Sequence, residues 1–393
     1  MKKVLIFGAV KHAIEKAKEL GYEVILVDQN PNIKCIELAD RFKCIPFEDF
    51  EENLKFAEEN KIDGVVNATD FAVLVSSYVA EKMNLPGLNF EAAKIAKNKY
   101  EIRKMMQEKN ITNVSQFFEV SEISEIYELK DKIVFPVILK PCSGLGSLFV
   151  YKIDNYEDLI NKIPEVIEGS FNGKALIETF IVGQEYGVES FVYNNIVTVL
   201  AILKKNMTQL PYRSELGHSI PSELPIEIEN KIKDVVKNLI NAIGINQGAV
   251  NMDLILTEKN EVYVVDVGAR MGGNAISSHI IPNGMGIDHV GNVVKIAMQD
   301  DSIDLIPKFH KCVSTRILNL DEGVIKELPD FSKLYDENVV EICFEKKVGD
   351  TIEKYVSDAQ RCGFIVVKGE DIAATKQKAL MLRNKINESI LRG

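Results

Sequence analysis

Asn251-Met252-Asp253-Leu254-Ile255-Leu256, a polar stretch from Thr257 to Asn260, and Glu261-Val262-Tyr263-Val264-Val265-Asp266-Val267-Gly268-Ala269-Arg270 read as two β-strands joined by a short turn. Asp266 sits among apolar neighbours on a strand that looks buried, where a lone carboxylate is costly without a partner. A turn symmetric about residues 258 and 259 sets Asp253 opposite Val264. Asp266 is then a diagonal neighbour on the same face, ~7–8 Å away and near enough to share cations. An odd-length loop would instead send the two carboxylates to opposite faces. Two carboxylates with few other ligands suit hydrated Mg²⁺ held together with substrate phosphates. Arg270, just past this strand, would stabilise charge that develops during group transfer.

Upstream, Glu178-Thr179-Phe180-Ile181-Val182-Gly183-Gln184-Glu185-Tyr186 leads to Glu189, and Asn194-Asn195 is a plausible two-residue turn. Pairing about that turn sets Glu185 opposite Lys204 and Glu189 opposite Leu200, so that Glu185, Glu189 and Lys204 share one sheet face. One reading is a cross-strand ion pair on a solvated face, worth little. The other has Glu185 accepting hydrogen bonds from a ribose while the edge at Phe180-Ile181 receives a base.

Further upstream, the strand ending at Lys140 enters Pro141-Cys142-Ser143-Gly144-Leu145-Gly146-Ser147. The glycines would let backbone N–H groups approach phosphate oxygens, with Lys140, Ser143 and Ser147 adding donors. A strand-like run, Leu148-Phe149-Val150-Tyr151, follows where a P-loop requires a helix, so the segment reads as a hairpin tip over a ligand or as an ordinary glycine-rich hairpin. Residues 1 to about 90 alternate strand and helix signals, including a helix near Ile36 to Phe42, and so imply a parallel doubly wound sheet. Gly8 stands alone where a dinucleotide fingerprint needs three glycines, and Asp28 reads as a solvated strand end. One helix is expected from Glu91 to Lys109, then an α+β body with strands at 135–140, 148–153, 175–181, 186–193 and 196–203. Gly272-Gly273 reads as a turn or a close backbone approach. Arg213 and His218 lie in a loop-like segment and are candidate substrate contacts, whereas His279 and His289 read as structural.

The chain has 393 residues, 47 Lys+Arg, 58 Asp+Glu and a formal net charge of −11, with 46% hydrophobic residues. Such a chain buries a large core and divides into two to four domains at roughly 100–200 residues each. The acidic balance, without a Lys/Arg cluster, argues against nucleic acid or an anionic membrane as partner. No run approaches the ~20 apolar residues of a membrane span. The six scattered cysteines carry no C-x-x-C pair, which fits a reducing cytoplasm.

Taken in order, these pieces resemble the ATP-grasp superfamily of carboxylate–amine ligases, closest in look to its L-amino-acid ligase and carbamoyl-phosphate-synthase-like branch. The resemblance implies an α/β plus α+β chain: a Rossmann-like front domain (1–90), a helical linker (91–112), and a small lid subdomain with a glycine-rich hairpin (113–184). A large subdomain with the metal site (185–306) and its C-terminal part (307–393) follow. It implies ATP and Mg²⁺ (or Mn²⁺) as cofactors, small-molecule carboxylate and amine substrates, and often a homodimer. By resemblance Lys99 and Lys140 contact phosphates, while Ser143, Gly144, Gly146 and Ser147 belong to the lid. Glu178 with Phe180 and Ile181 holds adenine, and Glu185 with Lys204 lies at the ribose. Asp253 and Asp266 bind metal, Arg270 stabilises the acyl phosphate, and Arg213, His218, Gly272 and Gly273 face substrate. The family's metal pair is often glutamate with a following asparagine; here there are two aspartates, and Gly268 stands at the asparagine-like position. The same scaffold also supports carboxylation through carboxyphosphate, or nucleotide binding without catalysis.

Overall fold

The computed structural model describes residues 1–144, 148–210 and 213–393; the expectations for Gly146 and Ser147 lie outside the described residues. The front of the chain forms β1 (Lys3–Phe7), α1 (Lys11–Glu19), β2 (Glu23–Asp28), β3 (Arg41–Cys44), α2 (Phe50–Asn60), β4 (Gly64–Asn67) and α3 (Val73–Lys82). Its four strands are all parallel in the order β3-β2-β1-β4. Alternate residues of each strand supply opposite cores, as the two-residue strand period requires. Val4, Ile6, Val24 and Leu26 pack toward the main body, and Leu5, Phe7, Ile25 and Val27 pack under α2 and α3.

Two local expectations change here. The helix expected near 36–42 is only a 3₁₀ turn at Ile36–Leu38, because Asp40 accepts a hydrogen bond from Val24 N (2.8 Å) and Arg41 already pairs with Ile25 in the sheet. Asp28 is not solvated: 6% exposed, it accepts from Ala9 N (2.8 Å) and Asn30 N (2.9 Å), closing the turn after β1.

The single helix expected over 91–109 is two, α4 (Phe90–Ala96) and α5 (Lys99–Glu108). Asn98 interrupts it by capping α5, its side chain accepting from Tyr100 N (3.0 Å) and Glu101 N (3.3 Å). Lys99 therefore opens α5. Next come β5 (Phe117–Val120), α6 (Ile123–Leu129), β6 (Val137–Pro141), β7 (Tyr151–Ile153), α7 (Tyr156–Glu168) and β8 (Ala175–Thr179), an antiparallel sheet ordered β5-β8-β6-β7. Strand β7 begins at Tyr151 rather than Leu148. Strand β8 stops at Thr179, which leaves Phe180 and Ile181 in the connection to the main body.

That body contains β9 (Gln184–Tyr193), β10 (Ile196–Met207), β11 (Glu215–Ile220), α8 (Ile226–Ile243), β12 (Gly248–Leu256), β13 (Val262–Gly268), α9 (Ile281–Met285) and α10 (His289–Ala297). The remainder is β14 (Cys312–Ile317), β15 (Gly323–Glu327), β16 (Val339–Phe344), β17 (Thr351–Ile352), β18 (Gly363–Gly369), α11 (Ile372–Ser389) and β19 (Leu391–Arg392). Eight of these strands make one antiparallel sheet, β13-β12-β9-β10-β11-β14-β18-β16. Helix α8 covers one face through Ile232, Val236, Leu239 and Ile240 against Val188, Val250 and Met252. The opposite face, toward the sheet β5-β8-β6-β7, carries polar residues, among them Lys205, Asp253 and Asp266. No described helix is long and apolar enough to cross a membrane.

Strand β11 approaches β14 so closely that a Cβ on Gly217 (φ +138) would stand 2.1 Å from the Thr315 carbonyl oxygen. Gly217→Ala is expected to destabilise the protein by at least ~1–3 kcal/mol, the usual cost of a forced backbone conformation. Urea unfolding checks this, and an unchanged midpoint would contradict the packing of these two strands.

Candidate functional site

The turn between β12 and β13 has odd length: Leu256 pairs with Val262 and Leu254 with Val264. That register alone would put Asp253 and Asp266 on opposite faces. A bulge at Val265 adds one residue to β13, and Asp253 comes to lie directly opposite Asp266. The symmetric turn expected from the sequence is thus corrected, while its consequence, two carboxylates on one face, survives by a different route. A second bulge repeats the lesson on β10. Asn194 and Asn195 (φ +51 and +59) do form the two-residue turn, but the ladder slips between Val199 and Ala201. Lys204 then faces Tyr186 instead of Glu185, and its ammonium turns to Glu223 (3.3 Å). Lys205 takes the inward position, with Nζ 2.5 Å from Glu215 and 2.9 Å from Asp253. Lys205 therefore lines the cavity described below, and Lys204 does not.

A cavity between the four-stranded sheet β5-β8-β6-β7 and this face brings together Lys99, Arg103, Lys140, Gly144, Glu178, Phe180, Ile181, Glu185, Lys205, Arg213, Asp253 and Asp266. Lys99, Arg103 and Met106 reach it from one stripe of α5, four and three residues apart. Lys99 Nζ lies 3.2 Å from Asp266. Glu178, 8% exposed, receives Arg103 Nε (2.8 Å) and Lys140 Nζ (2.5 Å). Burial pushes the Glu178 carboxyl up, but Arg103 and Lys140 outweigh it and hold it at about 2. Burial lowers Lys140, which Glu178 opposes and Arg103 and Lys99 reinforce. Three cations thus crowd one end of the cavity. Arg103 Nη1 is buried there without a hydrogen-bond partner, a donor left for an acceptor on a ligand.

The two facing aspartates differ. For Asp266 burial is overcome by Lys99, Lys140 and Lys97, which hold it at about 2. For Asp253 burial dominates despite Lys205, and Glu215 adds to it, raising the group to about 6. Among the described residues no three His, Cys, Asp or Glu side chains converge as a complete metal site. A facing aspartate pair suits an ion that draws its other ligands from phosphates and water, as Mg²⁺ does.

The remaining expected residues are placed as follows. Glu185 is tied up by an ion pair with Arg213, so Arg213 lines this same cavity. His218 is on strand β11, not in a loop; it is 1% exposed, 3.7 Å from Glu215, and burial lowers its pKa with Glu215 opposing. The backbone carbonyl of Ser143 accepts from Phe171 N (2.9 Å) and from Ser170 Oγ (3.2 Å). Arg270 lies outside this cavity: its Nη1 donates to Met271 O (2.8 Å) and its Nε is 3.8 Å from Asp70 of the front domain, which also holds Lys97 (3.0 Å).

Beneath the loop that follows Arg270 is a carboxylate whose structural weight the sequence did not reveal. Glu189, fully buried, accepts from Gly272 N (3.0 Å), Ser277 Oγ (3.1 Å) and Asn251 Nδ2 (2.9 Å), and shares a 2.7 Å hydrogen bond with His289. A Cβ on Gly272 would stand 2.5 Å from Glu189, so a larger residue there would have to displace that carboxylate, whereas Gly273 has open space. The spacing of Lys99 and Arg103 along one helix was the readable signal for Arg103. Glu189 and Lys205 had none, since partner loops and bulges decide both.

With this geometry in hand, residues 14–87, 133–278 and 316–388 match the ATP-grasp N-terminal domain, the ATP-grasp domain and the L-amino acid ligase C-terminal domain 2 respectively. The chain belongs to the ATP-grasp family of ATP-dependent carboxylate–amine ligases. It is 22% identical to the L-arginine-specific L-amino acid ligase of Bacillus subtilis over 313 residues, 78% of this chain and 75% of the relative. The solved L-amino acid ligase of Bacillus licheniformis superposes with a TM-score of 0.84 at 22% identity, covering 100% of this chain and 99% of the other. Phosphoribosylglycinamide synthetase of Anaerococcus prevotii gives a TM-score of 0.80 at 28% identity, with both chains fully covered. Against the carbamoyl phosphate synthase large chain of Thermotoga petrophila the chain spans only 34% of the relative's length.

Because the folded Glu178 carboxyl is held at about 2 against an ordinary 4.5, its stabilisation is complete above pH 4.5 and fades as pH falls toward 2. Wild type is expected to lose stability more steeply across that window than Glu178→Gln, measured as urea midpoint against pH. Parallel curves would contradict the ionised triad.

Proposed function

We propose that the protein joins the carboxylate of an amino acid or peptide-like compound to an amine, using ATP and Mg²⁺ (or Mn²⁺). The observation that carries this reading is the opposition within one cavity of Lys99, Lys140 and Arg103 to the facing pair Asp253 and Asp266. Lys99 and Lys140 would leave their carboxylates for the polyphosphate, and the unpartnered Arg103 Nη1 would donate to the nucleotide. Phe180 and Ile181, in the connection between lid and body, would hold the base, with Glu178 nearby and Glu185 toward the ribose. Asp253 and Asp266 would hold the metal, which neutralises charge on the transferring phosphoryl group.

A substrate carboxylate oxygen attacks the γ-phosphorus, the bond to the β-phosphate oxygen breaks, and ADP leaves. The amine nitrogen then attacks the acyl carbon, loses a proton and expels inorganic phosphate. Arg270 would offset charge on the acyl phosphate and the tetrahedral intermediate. Gly272, Gly273 and His218 line the substrate side in this reading, with the front-domain residue Asp70 beside Arg270. Positioning and charge neutralisation do most of the work in such transfers. The L-amino acid ligase relatives and the matching C-terminal domain support amino acids as the substrate class. All six cysteines are free, which fits the reducing cytoplasm expected above, and a homodimer is part of the proposal.

Incubation with ATP, Mg²⁺ and paired amino-acid pools is expected to yield ADP, phosphate and a product whose mass equals the two substrates less water. AMP, or ADP release that needs bicarbonate and no amine, would contradict it. Arg270→Ala is expected to lower turnover by about 10²–10³ with ATP binding retained. Near-normal turnover in that variant would remove Arg270 from the mechanism.

A further inference from the structure

Lys205 is the cation of the site that sequence spacing misassigned, and its surroundings set it apart from Lys99 and Lys140. It is 3% exposed, and its ammonium sits between Glu215 (2.5 Å) and Asp253 (2.9 Å). Lys99 and Lys140 are engaged elsewhere, at Asp266 and Glu178. The other carboxylate near Lys205, Glu185, is already occupied by Arg213.

An ammonium and a divalent ion are alternative occupants of one carboxylate. The ammonium is the buried member, and drawing it off its half-buried carboxylates without a new acceptor leaves a desolvated charge uncompensated, which is strongly unfavourable. A metal ion arriving alone would have to take Asp253 from Lys205, leaving the ammonium Glu215 alone and no new acceptor. A polyphosphate supplies acceptor oxygens and so gives the ammonium somewhere to go.

We propose that Lys205 is a resident counter-cation that guards Asp253: it keeps divalent metal out of the empty site and yields the carboxylate when nucleotide phosphates arrive to receive it. Metal and nucleotide then enter together, and the empty enzyme does not hold metal on Asp253. The inference rests on reading Asp253 as a metal carboxylate. It adds an order of binding and a third cationic contact to the phosphates.

The test is Mn²⁺ binding followed by calorimetry and by the paramagnetic signal of free Mn²⁺, without nucleotide and with a non-hydrolysable ATP analogue. Wild type is expected to take up Mn²⁺ strongly only with the analogue. Lys205→Met is expected to bind Mn²⁺ alone at least about tenfold more tightly than wild type, with a thermal midpoint that Mn²⁺ alone raises. Lys205→Arg, which keeps the charge, should behave as wild type does. If the Met variant fails to fold, Lys205→Gln carries the same comparison. Equal Mn²⁺ affinity in wild type and the neutral variants, or tight binding by wild type before nucleotide, would overturn the guard. Asp253→Asn separates the two levels. If it still recruits Mn²⁺ with the analogue, the metal assignment itself fails and the guard with it; if recruitment is lost but the Lys205 variants show no gain, only the guard fails.

Discussion

One extra residue in β13 is the constraint on which the site depends. Without the bulge at Val265, the odd-length turn after Leu256 would leave Asp253 and Asp266 on opposite faces of the large sheet. With it, both carboxylates face one cavity, and the lysines that neutralise them must come from separate elements, Lys99 from α5 and Lys205 from β10. The bulge on β10 supplies the second of these by turning Lys205 inward. Two local irregularities in an otherwise regular ladder thus assemble the polar face, in keeping with the tendency of bulges to re-aim side chains beside active sites.

Charge in the cavity is self-neutralised in ion pairs whose members come from different segments. Arg103 and Lys140 meet at Glu178, Lys99 meets Asp266, Lys205 meets Asp253 and Glu215, and Arg213 meets Glu185. Buried cations and carboxylates are tolerable only in this paired state. A polyanion accompanied by a divalent cation can exchange with such pairs at little net electrostatic cost, since each protein charge trades one partner for another of the same sign. A chain of net charge −11 therefore has no difficulty with a nucleotide, because the placement of a few cations matters and the total does not.

The layers of the fold were legible because hydrophobic periodicity carries them. Alternating β-α-β signals announced the parallel front sheet, and the paired apolar strands announced the large one. Lys140, Asp253 and Asp266, which line the cavity, were legible because charged residues within or bounding apolar strands are conspicuous, whereas Lys99 entered only through the family resemblance. What failed did so for physical reasons. Bulges at Val265 and near Leu200 leave no compositional trace, so register carried forward by counting was off by one at Lys204. The break at Asn98 was readable in principle, since asparagine before Lys99 is a favoured N-cap, but the surrounding helix formers masked it. Glu189 looked like one more strand carboxylate, and only the fold could reveal that Gly272, Ser277, Asn251 and His289 converge on it.

The central claim is that this face activates a carboxylate by phosphorylation. It is tested most directly with a carboxylate substrate labelled with ¹⁸O in both oxygens, by mass spectrometry of the released phosphate. An acyl phosphate intermediate requires one labelled oxygen to appear in each inorganic phosphate formed. Product formation with unlabelled phosphate would contradict the account.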